Sequence, residues 1–274
     1  MQSTSSNIQT TSSNIQRIQS CHLGPGISPE QIVPEHFFLF ILDGTMQVYN
    51  GEKHYEVIPG DCCIARKNHL LRYNKEQLNG DFKKIVIVLD EPFLKNFFIK
   101  HPVGFGIAEH DEPIVTVKSD RLLDSFIQSL APYYKGEAEI EQAFADVKRE
   151  ELLLILLQNH PALASIFFNF GAPEKINIEE FMCRNFRFNI SLDRFAFLTG
   201  RSLSAFKRDF NNAFNETPGR WLTRKRLEEA YFLIHSQNQR PKDIYLDLGF
   251  EDLSHFSFAF KKQFGQSPTE VLTT

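Results

Sequence analysis

Two stretches of this chain repeat one another 50 residues apart, and the repeat restricts the available folds more than any other feature. Asp193, Leu198, Ser204, Phe206, Phe210, Phe214, Pro218 and Leu222 recur in one register as Asp243, Leu248, Ser254, Phe256, Phe260, Phe264, Pro268 and Leu272. Identities in one register over so short a span indicate two copies of one supersecondary unit. In the second copy, Leu253, Phe256, Phe260 and Phe264 fall at helical spacing and make one apolar stripe. Asp252 suits the N-cap of that helix, and Gly265 suits its C-terminal stop. Ser254, His255, Ser257, Lys261 and Lys262 occupy the other faces. An apolar back with a polar, basic front suits a DNA major groove, although the stretch alone reads equally as an ordinary surface helix. The segment Lys242 to Phe250 supplies a preceding helical turn that ends at Gly249. Helix, tight glycine turn and helix is the helix-turn-helix arrangement. Only the turn glycine is out of step, Gly200 lying six residues before Phe206 and Gly249 seven before Phe256.

Here the chain resembles the C-terminal DNA-binding domain of the AraC/XylS family of bacterial transcription regulators, from about Ile176 to Leu272. Ser202 can cap the first recognition helix, and Ser267 with Glu270 fits a capping box. Thr217-Pro218 and Ser267-Pro268 each place proline at the first helical position. The resemblance implies that a helix from Pro218 to His235 joins the two units. Both recognition helices then enter successive major-groove segments about 34 Å apart. Ser204, Lys207 and Arg208 match positions that contact bases in that family. Leu253, Ser254 and Phe258 hold those positions in the second unit. Lys and Arg donate to guanine, whereas Phe258 can only contact a thymine methyl. Ser202, His255, Lys261 and Lys262 are better placed for phosphate.

The net charge of -4 conceals an asymmetry. From Lys175 onward there are 15 Lys and Arg against 12 Asp and Glu, so an acidic first part precedes a mildly basic second one. An excess of +3 supports DNA binding only weakly. Cys21, Cys62, Cys63 and Cys183 have no zinc spacing and suit reduced thiols in a cytoplasmic protein. Cys62 and Cys63 should point to opposite faces of a strand. No apolar run is long enough to span a membrane. The Ser/Thr/Asn/Gln-rich residues 1–20 lack the features of a signal peptide and read as a disordered tail.

From His36 to Leu89, short apolar runs alternate with turns at Asp43-Gly44, Asn50-Gly51, Pro59-Gly60 and Asn79-Gly80. This predicts a small antiparallel barrel or sandwich. The run G-T-M-Q-V with I-P-G-D beyond it resembles the cupin-like sensor domain of AraC-type regulators. Many cupins bind metal through converging imidazoles, typically with an H-x-H pair. His36, His54 and His69 are scattered instead, so neither a metal, a cofactor nor an enzymatic role is expected. Helices follow after Pro92, over Arg121 to Tyr134, and over Glu137 to Asn159. The last has more apolar residues than one stripe needs, so it either packs wholly on its own domain or, as the family resemblance implies, makes a dimer contact, with Leu154 and Leu157 as the candidates. Asn169 to Lys175 reads as a linker.

The order of these pieces, including FKKIVIVLDEPFLKNF, resembles the subgroup of the family that activates type III secretion genes. There the N-terminal domain serves self-association and binding of a regulatory protein, while other members bind a small ligand. The expectation is a two-domain α+β chain. Residues 21–168 form a cupin-like barrel with helices, 169–175 a linker, and 176–274 an all-α domain with two helix-turn-helix units. Its expected function is that of a sequence-specific regulator, an activator, acting on double-stranded promoter DNA as a homodimer. Its other expected partners are RNA polymerase and a small-molecule or protein effector, with no membrane. A metal-dependent cupin enzyme fused to a DNA-binding domain, or a non-specific architectural protein, are the alternatives.

Overall fold

The computed structural model describes residues 18–22, 32–76, 82–102, 104, 112–131 and 142–272. Strands dominate the first part: β1 (Ile18–His22), β2 (His36–Asp43), β3 (Thr45–Tyr49), β4 (His54–Val57), β5 (Cys62–Ala65), β6 (Arg72–Glu76) and β7 (Lys83–Leu89). Then come α1 (Glu91–Lys100), β8 (Ile114–Val117), α2 (Arg121–Ser129), α3 (Gln142–Asn159) and α4 (Leu163–Phe167). All strand pairs are antiparallel. They form a five-stranded sheet, ordered β1-β7-β2-β5-β8, and a three-stranded one, ordered β4-β3-β6.

β2 is apolar nearly throughout because both of its faces are covered. Phe38 points into a core shared with α1 to α4, and Leu39 and Ile41 point into the core between the sheets. The adjacent cysteines divide as expected, Cys62 joining the helical core and Cys63 the inter-sheet core. The chain passes from one sheet to the other at Gly44, whose φ of 80° is open to glycine at no steric cost. No ladder among the described strands joins the two sheets, so of the expected barrel or sandwich the described pairing shows two separate antiparallel sheets. β1 also begins inside the segment expected to be a disordered tail. It adds to the edge of β7, where an unpaired row of backbone groups would otherwise remain. Residues 1–17 lie outside the described residues, as do 132–141 and with them the expected start of α3 at Glu137.

Buried Arg149 ties α3 to α1: its Nη2 donates to Oδ2 of Asp90, the N-cap of α1, at 2.5 Å, and its guanidinium lies 4.0 Å from the Phe93 ring. That orientation puts Leu152, Leu153 and Leu156 into the core. Phe144, Val147 and Leu154, spaced along one helical face, are left exposed.

The second part is helical: α5 (Ile178–Asn185), α6 (Leu192–Leu198), α7 (Leu203–Phe214), α8 (Pro218–Gln237), α9 (Pro241–Ile244), α10 (Leu253–Phe264) and α11 (Pro268–Leu272). It has two cores. Phe195, Phe206, Phe210 and Trp221 lie in the first, and Ile244, Phe256, Phe260 and Val271 in the second. α8 serves both, through Trp221 and Leu222 near its start and Leu227, Ala230 and Ile234 towards its end. The first core also takes in Tyr49 and Leu70 from the strand region. Tyr49 stacks on Phe188 with the planes 14° apart. A Cβ on Gly51 would stand 2.9 Å from Asn185 Oδ1, so the β3–β4 turn sits hard against α5.

Candidate nucleic-acid interface

The repeat seen in the sequence is a repeat of structure. Phe206 and Phe210 in α7, and Phe256 and Phe260 in α10, are all wholly buried. Both turn glycines adopt left-handed backbone, with φ of 67° at Gly200 and 80° at Gly249. At Gly200 a Cβ would stand 2.5 Å from the Glu174 carbonyl oxygen, so the linker lies directly on the first turn. The caps form as the residue types predict. Ser202 Oγ accepts from Ala205 N at 3.3 Å, and the Asp252 carboxylate accepts from His255 N at 2.6 Å. Ser267 and Glu270 close a reciprocal capping box at the start of α11.

With the phenylalanines turned inward, the opposite faces are open. Ser202, Ser204, Lys207 and Arg208 are exposed on α7, and Ser254, His255, Phe258, Lys261 and Lys262 on α10. Phe258 is the most open of these apolar side chains at 70% exposure, with Leu253 at 38%. Each helix therefore presents an exposed face whose N-terminal end can approach base edges or phosphates. The two faces differ in chemistry. α7 offers Lys207 and Arg208 as hydrogen-bond donors, while α10 has an aromatic ring at the position equivalent to Arg208, followed by two lysines. The Arg208 guanidinium, 71% exposed, has a carboxylate beside it: its Nε and Nη2 donate to Asp209 Oδ1 at 3.3 and 3.2 Å.

Arg226 is a residue that the sequence reading missed. It donates from Nε, Nη1 and Nη2 to the carbonyls of Phe186, Gly249 and Phe188, at 2.7, 3.0 and 2.8 Å. One side chain of α8 thus clamps the loop after α5 to the turn of the second unit. Burial lowers the Arg226 pKa to about 10, still well above neutrality. The signal was present: Leu222, Arg226, Ala230 and Ile234 fall four residues apart, and a cation within an apolar stripe needs buried acceptors.

The scattered histidines keep separate roles. Buried His36 accepts from Lys67 N through Nδ1 at 3.2 Å, His69 Nδ1 lies 2.9 Å from the Lys67 carbonyl, and His54 packs on the Tyr49 ring. Among the described residues no three His, Cys, Asp or Glu side chains converge as a metal ion would require. Nor is any described helix long and apolar enough to cross a membrane.

Residues 36–166 match the family described as ExsA N-terminal regulatory domain, and residues 195–274 match the helix-turn-helix domain. The chain belongs to the AraC/XylS family of transcription regulators. Among its AraC/XylS-type relatives is the HTH-type transcriptional regulator ExsA of Pseudomonas aeruginosa, 23% identical over 92% of this chain and 91% of the relative. The thermoregulatory protein LcrF of Yersinia pestis is 25% identical over 85% of this chain and 88% of its own. Apo ToxT from Vibrio cholerae aligns over 95% of this chain and 98% of its own, with 12% identity and a TM-score of 0.44. In this AraC/XylS chain α7 and α10 are the equivalent helices of the repeated unit, and α8 connects them.

Proposed function

We propose that the protein is a sequence-specific activator of transcription that binds promoter DNA through α7 and α10. The observation that carries this reading is the pair of equivalent helices whose repeated phenylalanines are buried and whose opposite faces stand open. Base edges are read by Ser204, Lys207 and Arg208 in the first unit and by Ser254 and Phe258 in the second. Ser202, His255, Lys261 and Lys262 hold phosphates, which fixes register without reading sequence. The names of relatives support activation: VirF of Yersinia enterocolitica, 23% identical over 85% of this chain, is a virulence regulon transcriptional activator. An activator of this kind works in the cytoplasm and engages RNA polymerase beside its site.

The domain in residues 21–168, cupin-like in descent though open in its strand pairing here, supplies self-association and response to an effector, and 169–175 link it to the DNA-binding domain of 176–274. Support for self-association comes from α3, where Leu154 stands exposed in line with Phe144 and Val147. Leu157 is half-buried and packs on the core of its own domain, so the dimer contact centres on Leu154. A cleft of about 420 Å³ where the strand region meets α5, lined by Arg66, Lys67 and Arg184, has room for a small effector.

Competition binding tests the reading. Duplexes selected by the full chain from a random pool should be preferred over scrambled duplexes. Arg208→Ala should cut that preference by roughly 1–3 kcal/mol, the range for a bidentate base contact. Equal affinity of the unaltered chain for selected and scrambled duplexes would establish the non-specific architectural alternative instead.

A further inference from the structure

We infer that Asp209 is a positioning residue for base readout, holding the Arg208 guanidinium in the orientation that meets a guanine edge. This rests on the assignment of Arg208 to base reading. The Asp209 carboxylate is anchored from behind. Its Oδ2 accepts from Arg201 Nε at 3.1 Å and lies 3.5 Å from Lys175 Nζ. Arg201 is itself fixed, since its side chain is only 7% exposed and its Nη1 donates to the carbonyls of Ile176 and Thr199 at 2.9 and 2.6 Å. The other carboxylate oxygen, Oδ1, takes Nε and Nη2 of Arg208. These contacts, Arg201 first, hold the Asp209 carboxyl below its ordinary range, so it stays ionised.

A guanidinium has five N–H donors in a rigid fork. With Nε and one Nη2 hydrogen committed to Asp209, the two Nη1 hydrogens and the second Nη2 hydrogen remain. That is enough for guanine O6 and N7 together. A long, exposed side chain ordinarily loses rotamer freedom on binding, and an arginine already held by a carboxylate loses less. The same carboxylate repels phosphate, so it opposes binding to DNA of any sequence. Asp209 therefore acts with opposite signs on discrimination and on general affinity. A residue that merely stabilised α7 would not do so.

The test uses the full chain and duplexes it selects from a random pool, with each base pair then varied singly. Arg208→Ala should lower the preference for guanine at one position by about tenfold. Asp209→Ala should lower the preference at that same position by about threefold or more, leave other positions unchanged, and tighten binding to scrambled DNA. In the Arg208→Ala background Asp209→Ala should cost no further discrimination. Asp209→Asn, nearly isosteric but uncharged, should show part of the loss, and it carries the test should the alanine variant melt before binding can be measured. Wild-type discrimination in a folded Asp209 variant, alongside a loss in Arg208→Ala, overturns the inference and leaves the readout by Arg208 standing. Further loss in the Arg208→Ala background also overturns it, because Asp209 would then act by another route. If Arg208→Ala keeps every preference, the readout assignment itself fails and the inference with it.

Discussion

Arg72 and Asp247 are 175 residues apart in sequence and adjacent in the fold: Arg72 Nη1 donates to the Asp247 carbonyl at 2.8 Å and lies 3.6 Å from its carboxylate. The guanidinium also sits 5.3 Å from the Tyr49 ring. A side chain of β6 is thereby joined to the turn that precedes α10, so the strand region and the second helix-turn-helix unit are in direct contact.

Arg72→Ala should loosen that turn. A hydrogen bond from a charged donor contributes roughly 1.5–3 kcal/mol. Backbone amides of residues 245–250 should exchange hydrogen faster in the variant, while those of α7 keep their rates. Unchanged exchange across the turn would mean that the contact carries no restraint.

On α3 the expected outcomes separate two neighbouring leucines. Leu154→Asp alters an exposed side chain, so it should leave the melting temperature nearly unchanged and convert dimer to monomer in sedimentation. Leu157→Asp places a charge against the domain's own core and should destabilise the fold by several kcal/mol. A dimer that survives Leu154→Asp with its fold intact would move the contact elsewhere.

The unlike chemistry of α7 and α10 should give unlike salt dependence. Lys262→Ala should weaken binding to selected and scrambled duplexes alike and reduce the slope of log affinity against log salt by about 1. Phe258→Ala should leave that slope alone and change preference only at positions containing thymine. A broader loss of specificity from Phe258→Ala than from Arg208→Ala would make the ring the principal reader.

Stability should fall in mild acid because of His36. Burial first, then the charges of Lys67, Arg66 and His69, push its imidazole down to about 3 from an ordinary 6.5. The unfolded chain takes up a proton below about pH 6.5 that the folded chain refuses until about pH 3, so the contribution is complete above the first value and declines between them. Going from about pH 7.5 to about pH 5 should cost on the order of 2 kcal/mol in denaturant unfolding, at about 1.4 kcal/mol per pKa unit. His36→Gln removes the titrating group and should flatten that dependence; an unchanged pH profile would assign the acid sensitivity to other groups.

Much of the helical part was legible because its signals are local. The phenylalanine spacing, Asp252 as a cap, the turn glycines and the proline starts each act within a few residues, and each formed as read. The strand region was harder. β6, with the sequence RYNKE, carries no apolar alternation, since its inward contacts are made by Tyr73 and by buried Lys75, whose ammonium lies over the Tyr73 and Phe82 rings. Pairing of β1 with β7 joins residues far apart in the chain and leaves no local trace. The exposed faces of α7 and α10 were visible as polar positions between phenylalanines. The carboxylate behind Arg208 was not, because an Arg-Asp pair in sequence does not reveal that Arg201 and Lys175 converge on the same oxygen.

The double membership of α8 has a consequence for the shape of an operator. Its 20 residues make a rod of about 30 Å, anchored in one core at its start and in the other towards its end, with Arg226 bracing the middle. In the proposed binding mode a rod so held should resist stretching and swivelling, and α7 and α10 should keep a fixed phase about the DNA axis. Inserting one base pair between their contact sites turns the second site by about a tenth of a helical turn and moves it away by one base-pair rise. The protein should therefore tolerate base changes in the spacer while rejecting spacers of the wrong length, so that spacer length is part of what it recognises.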